Sequence, residues 1–280
     1  MLENTFCHIQ GIGPRTEKRL WEADIHNWHS FLNGHKPLIS QAAYHAAARV
    51  IDESMHALAA GEAAWFYNKL KSGDHWRMFR NFKHRAAYID IETTGLERDL
   101  SSITTIALYD GEKILTYVNG NNLECFIDDI FAYDLLVTYN GKSFDVPFIE
   151  SFFDIRLPHA HIDLRYVLNS LGFKGGLKSV EKRFGISRNE LEGVDGYFAV
   201  LLWMEYQNRN DSRALDTLIA YNVEDVVNLE FLMHHAYNLK VKDTPFKQDL
   251  TMTIPPRPDV PYAADFGLVN ELRRRFFIGV

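Results

Sequence analysis

The alternation of apolar and polar positions is sharpest between residues 86 and 118. Tyr88-Ile89-Asp90-Ile91-Glu92-Thr93-Thr94-Gly95-Leu96 starts as a run of β-formers and stops at a glycine, which predicts a strand running into a tight turn. Alternate strand residues share a face, so Asp90 and Glu92 point one way and Ile89 and Ile91 the other, toward a buried layer. Ser101 to Tyr109 is rich in β-branched residues, and the pattern resumes at Lys113 to Val118. The intervening Asp110-Gly111 predicts an antiparallel hairpin. Leu123 to Tyr133 reads as an amphipathic helix and Asp134 to Tyr139 as a further buried strand. Helices follow: one starting near Asp145, one opened by Gly175-Gly176, one over Tyr197 to Asn208 after a loop at Gly193 to Gly196, and one over Arg213 to Asn238.

The front of the chain has a helical pattern instead. Gly11 and Gly13 allow a tight turn and Pro14 suits the first turn of a helix, which runs to about Asp24. Glycine-flanked amides there, with Arg15, Lys18 and Arg19 nearby, suit a phosphate. The Gly-Ile-Gly core and the following leucine resemble the hairpin of a helix-hairpin-helix motif, which grips nucleic-acid backbone irrespective of sequence. Asp24 departs from that pattern, which often has glycine there. Ser40 to Ala60 predicts an alanine-rich helix and Glu62 to Arg80 a second helical stretch. The spacing of Trp65, Phe66, Trp76 and Phe79 in that stretch fits core better than base stacking. Asn81 to Arg85 is a short basic bridge, which places the expected boundaries at 1–85, 86–240 and 241–280. The last segment contains an extended Pro255-Pro256-Arg257-Pro258 and a basic-aromatic Arg273-Arg274-Arg275-Phe276-Phe277, suited either to packing on the body or to touching nucleic acid.

The chemistry rests on the carboxylates. Two acids on one side of a buried strand are costly unless a cation neutralises them, whereas on a solvated edge strand they need nothing. Oxygen-only ligands favour Mg2+ or Mn2+. Asp145 precedes Val146-Pro147 at a helix start, where it serves as a cap or reaches the pair on the first strand. Asp163 has the same two options, cap or cluster. Tyr221 and Asp225 are four residues apart and share a helical face, with Leu218, Val226 and Leu229 burying that helix. Asn140 and Lys142 are candidate substrate contacts, and Lys178 a candidate phosphate contact.

Composition narrows the class. The 280 residues suffice for about two domains, with 46% apolar and 24% charged residues typical of a globular protein. The net charge of −7 is uneven: +3 over residues 1–85 and −10 over the remainder, an acidic body suited to metal behind a mildly basic front suited to phosphate. Cys7 and Cys125 make neither a disulfide framework nor a zinc site. The longest apolar run, Phe198 to Met204, is too short to span a membrane, and no signal peptide is evident, so a cytoplasmic protein without membrane association is expected.

Asp90-x-Glu92, Asn140 through Phe148 with Asp145, and Tyr221-x-x-x-Asp225 together resemble the DEDD (DnaQ-like) superfamily of 3′–5′ exonucleases in its tyrosine version. Ala220 stands where the histidine version would have its histidine. The strand order β-β-β-α-β is that of the ribonuclease-H-like fold. Over about Ala86 to Leu239, including His161-Ile162-Asp163-Leu164 and Gly176-Leu177-Lys178, the chain is most similar to the YprB-like group. The resemblance implies an α/β fold with a mixed five-stranded sheet flanked by helices, preceded by a small all-helical domain. It implies Asp90, Glu92, Asp145 and Asp225 holding two Mg2+ or Mn2+ ions, with Asp163 an alternative third acid. Tyr221 would act beside them, and Thr93, Asn140, Lys178 and, on the front, Gly11, Gly13 and Arg15 would touch substrate. The implied activity is two-metal phosphodiester hydrolysis on single strands or duplex ends, DNA favoured. Trimming of RNA 3′ ends and a catalytically silent nucleic-acid-binding module are the rival readings.

Overall fold

A computed structural model describes residues 1–34, 39–186 and 196–277. The front contains helices α1 (Pro14–Glu22), α2 (Trp28–Asn33), α3 (Gln41–Ala59), α4 (Ala63–Lys69) and α5 (Phe79–Phe82). The body follows as β1 (Ala86–Thr93), β2 (Ile103–Tyr109), β3 (Ile114–Val118), α6 (Cys125–Ile130), β4 (Leu135–Thr138), α7 (Asp145–Phe153), β5 (Ala160–Asp163), α8 (Leu164–Ser170), α9 (Leu177–Arg183), α10 (Gly196–Arg209) and α11 (Ser212–Lys242). Two helices, α12 (Lys247–Leu250) and α13 (Phe266–Phe277), end the chain.

The five strands form one mixed sheet in the order β3-β2-β1-β4-β5, with β1–β2 and β2–β3 antiparallel and β1–β4 and β4–β5 parallel. The expected hairpin, its Asp-Gly turn and the β-β-β-α-β order are all present. β5 is the fifth strand that the resemblance implies; its four residues are too short a run to show a strand period by themselves. The stretch expected to be helical over Glu62 to Arg80 is broken into α4, a 3₁₀ segment (Ser72–Met78) and α5. The 3₁₀ segment begins at Ser72-Gly73-Asp74, residues that favour turns over helix interiors. The loop expected at Gly193–Gly196 lies, up to residue 195, outside the described residues.

Strand periodicity divides the core into two layers. Ile89 and Ile91 pack with Phe126, Phe148 and Ile149 of α6 and α7. Tyr88 on the opposite face packs with α11, whose Leu218, Val226 and Leu229 are buried as expected. This second layer continues without interruption into the front, where Phe66, Trp76 and Phe79 belong to the same apolar cluster and Trp65 packs against it. Trp76 meets Tyr237 edge-on at 5.6 Å, and Phe79 meets His234 at 5.1 Å.

The residues before Gly11 form a single 3₁₀ turn (Leu2–Asn4) and further turns rather than a helix. Gly11 has φ +85, and Gly13 caps α1 with extended backbone. Glu17 of α1 is buried and accepts hydrogen bonds from Thr5 Oγ1 (2.6 Å), Phe6 N (2.7 Å) and Arg77 (2.9 Å). Asp24 adopts φ +61, so the position where glycine is common in the resembling motif does take the left-handed conformation.

The tail lies along α11. Asn238 exchanges hydrogen bonds with Met252, Glu224 pairs with Arg257, and Thr217 Oγ1 accepts from Asp265 N. Leu268, Val269 and Leu272 of α13 join the core, and Arg275 bonds Glu205 and Glu271. The tail therefore packs on the body.

Candidate metal centre

Three acids converge. One carboxylate oxygen from each of Asp90, Glu92 and Asp225 lies within 4.8 Å of the others. Asp90 and Glu92 come from one face of β1, and Asp225 from the middle of α11, which crosses that face. Just beyond Glu92 the β1–β2 register shifts, so that Thr93 pairs with Ile103 and Thr104 is the extra residue. A bulge at this point re-aims the end of the strand, as bulges commonly do beside functional sites.

Asp90 is held by Asn222. Asn222 Nδ2 donates to its carboxylate at 2.7 Å and to its backbone oxygen at 3.2 Å, while Asn222 Oδ1 accepts from Thr105 Oγ1. Asn222 is fully enclosed, yet its type gave no signal in the sequence; only its place three residues before Asp225 would have put it on the same face. Burial pushes the Asp90 carboxyl well above its usual range, and the charges of Asp225, Asp145 and Glu92 push it further. Without a cation, these carboxylates cannot all ionise cheaply.

Asp145 opens α7 but is its first residue rather than its cap, the cap position being Phe144. Its Oδ1 accepts from Ile91 N at 3.2 Å, which ties the start of α7 to the acid-bearing strand. Burial raises its pKa to about 7, against backbone N–H groups that lower it, with Asp163 and Asp225 adding repulsion. Asp163 has a different role. Its carboxylate accepts from the backbone N–H groups of Asn140 (2.8 Å), Lys142 (3.1 Å) and Arg165 (3.0 Å), capping α8 and tying down the loop after β4.

Tyr221 is buried on the same face of α11 as Asp225, and Lys178 of α9 reaches its hydroxyl while lying 4.1 Å from its ring centre. Asn140 has φ +69, and its Oδ1 accepts from Ser143 and Arg165. The Thr93 hydroxyl donates to Gly95 O at 2.7 Å, closing the turn after β1. Lys142 turns away from the acids: its amine bonds His75 Nδ1 at 3.1 Å and lies 4.7 Å from the Tyr67 ring, and burial lowers its pKa to about 8. His75 Nε2 donates to the carbonyls of Tyr67 and Leu70, which leaves Nδ1 to accept from the lysine. Gly11, Gly13 and Arg15 are exposed at the start of α1. Helix α1 borders Lys240 and Asp243 at the far end of α11, about 20 Å along that helix from Asp225, so the front turn is no part of the acidic centre.

Among the described residues no helix is long and apolar enough to cross a membrane. The donor set, three clustered carboxylates with a fourth nearby and neither histidine nor cysteine among them, fits a hard divalent ion of the Mg2+ or Mn2+ type.

No curated protein matches the chain significantly. A solved structure, the family B DNA polymerase from the hyperthermophilic archaeon Pyrobaculum calidifontis, aligns at 17% identity with a TM-score of 0.41, over 60% of this chain and 27% of that one. The sequence model of the RNase_H superfamily matches residues 87–237, which span most of α11 and the sheet except for Ala86. The chain therefore belongs to the RNase_H superfamily.

Proposed function

We propose that this protein is a metal-dependent nuclease, and within that class a 3′–5′ exonuclease acting on single strands or duplex ends, DNA favoured. The observation that carries the reading is the convergence of Asp90, Glu92 and Asp225, two elements and some 130 residues apart, on one enclosed point. Uncompensated, such a cluster costs free energy, and a cation at that point removes the cost.

Asp90, Glu92 and Asp225 would hold the ions, with Asp145 beside them as a fourth acid. Two divalent ions at such a centre would ionise water at neutral pH and neutralise charge on the leaving oxygen. The protein's own groups orient. Asn222 fixes the rotamer of Asp90, the Asp145 bond to Ile91 N fixes the strand, and Tyr221 presents a hydroxyl on the Asp225 face. Its hydroxyl would position water or the scissile phosphate. Lys178 holds that hydroxyl in place.

The test uses DNA and RNA oligonucleotides labelled at either end, with Mg2+, Mn2+ or excess EDTA. Stepwise shortening from the 3′ end, abolished by EDTA and reduced roughly 10³-fold or more in Asp90→Asn and Asp225→Asn, is expected. Hydrolysis that persists in EDTA, or that Asp225→Asn leaves intact, contradicts the reading. Binding with no hydrolysis in either metal identifies a silent binding module instead.

A further inference from the structure

A cleft of about 570 Å³ opens at the same end of the parallel strands as the acidic centre. The β1–β4 register pairs Tyr88 with Val137, so two residues further on Tyr139 lies level with Asp90. Tyr139 and Asn140 form one wall of the cleft. The other wall is Arg165 and Asn169, four apart on α8, and the floor is the Lys174-Gly175-Gly176 turn that leads into α9. Two residues after that turn, Lys178 reaches the Tyr221 hydroxyl. Through Lys178 the turn at the floor of the cleft is tied to the Asp225 face of α11.

Its charge is the reverse of its surroundings. Residues 86–280 carry a net −10, yet among the described residues no carboxylate lines the cleft, and Arg165 and Lys174 both do. The buried Asp163, which bonds the backbone of Asn140 and Arg165, spends its oxygens on three backbone N–H groups. Asn140, by accepting from Arg165, aims the guanidinium across the cleft mouth. Gly175 has φ +123, and a Cβ there would meet Ser179 Oγ at 3.0 Å; a Cβ at Gly176 would meet nothing. The first glycine is required by the turn, and the second leaves backbone open to the cleft.

We infer that this cleft is a subsite for the sugar-phosphate backbone of a single nucleic-acid strand, with Arg165 and Lys174 as its phosphate contacts and the strand's end directed to the acidic centre. The inference rests on the proposed nuclease function and names how that site takes its substrate.

The test measures binding of fluorescein-labelled single-stranded 12-mers, DNA and RNA, in EDTA so that nothing is cut, from 50 to 300 mM NaCl. The variants are Arg165→Ala/Lys174→Ala and, as a charge-matched control elsewhere on the body, Lys113→Ala/Arg156→Ala. All four side chains are exposed, so folding is checked simply by thermal unfolding. With about 0.7 of slope per phosphate on a single strand, loss of two contacts lowers the log–log salt slope by about 1.4 and weakens binding roughly tenfold or more at 100 mM salt. The control pair keeps the wild-type slope. Unchanged affinity and slope in Arg165→Ala/Lys174→Ala, or an equal loss in the control, overturns the subsite and leaves the nuclease reading intact. A wild-type protein that neither binds nor cuts any strand overturns both.

Discussion

Asn222 determines how Asp90 is presented. Its amide group holds one carboxylate oxygen and the backbone oxygen of the same residue, and Thr105 holds the amide. Outer groups of this kind orient metal ligands, and their loss usually weakens ion affinity 10–100-fold. Asn222→Ala is therefore expected to weaken Mn2+ binding by that factor, read by titration calorimetry or by the Mn2+-dependent rise in melting temperature. Asn222→Gln, whose amide is displaced by a methylene, should restore little. His8 is a second residue with a definite prediction. It lies between Trp28 and Phe66, and neither ring nitrogen has a hydrogen-bond partner among the described residues. Burial first, then the charges of Lys69 and Arg77, lowers its pKa from 6.5 to about 3. The unfolded chain takes up this proton near pH 6.5 and the folded protein only near 3, so the unfolded state binds more protons throughout that window. Stability from this residue is full above pH 6.5 and is lost as pH falls, by about 2 kcal/mol at pH 5. Denaturant melts of His8→Phe against wild type should show that part of the acid dependence removed.

At the scale of elements, the loop after β4 is the joint between sheet and site. Asp163, at the end of β5, gathers three backbone N–H groups from that loop and from α8. Hydrogen bonds to a charged acceptor are worth about 1.5–3 kcal/mol each before coupling among them. Asp163→Ala should then cost about 2–4 kcal/mol of stability while leaving a divalent-ion thermal shift in place. Asp145→Asn should do the opposite, with little loss of fold and a reduced ion-induced shift. The two variants compared side by side decide which acid belongs to the centre. Lys142 on the same loop is engaged by His75 and Tyr67, so the front of the chain grips the loop from the other side.

The whole molecule shows why that grip matters. The apolar cluster that begins at Met1 continues through Trp76 and Phe79 into α11 and the sheet. The buried Arg77–Glu17 pair, at 2.9 Å, sits inside the front of this cluster. Cutting at residue 85 would expose Phe79, Trp76 and their partners His234 and Tyr237. We expect a single unfolding transition for the full chain, followed in parallel by tryptophan fluorescence and far-ultraviolet circular dichroism. The piece beginning at residue 86 should be insoluble or should melt far below the whole. Two separated transitions would instead support the division at 1–85 as an independent domain.

Local periodicity was enough to read much of this protein. A two-residue repeat puts Asp90 and Glu92 on one face of β1, and a four-residue spacing puts Tyr221 and Asp225 on one face of α11; both follow from backbone geometry alone. The hairpin follows from Asp110-Gly111, and the membership of residues 87–237 in the RNase_H superfamily from the same ordered pieces. What lay beyond the sequence were matters of distance between side chains far apart in the chain. Asp163 tying down the loop after β4, Asn222 as the clamp on Asp90, Lys142 turned toward His75 and the cationic cleft beside Asn140 each join residues 20 or more positions apart. Periodicity assigns a side chain to a face, but only the packed sheet and helices decide which faces meet, and a carboxylate becomes ligand or cap according to what it meets.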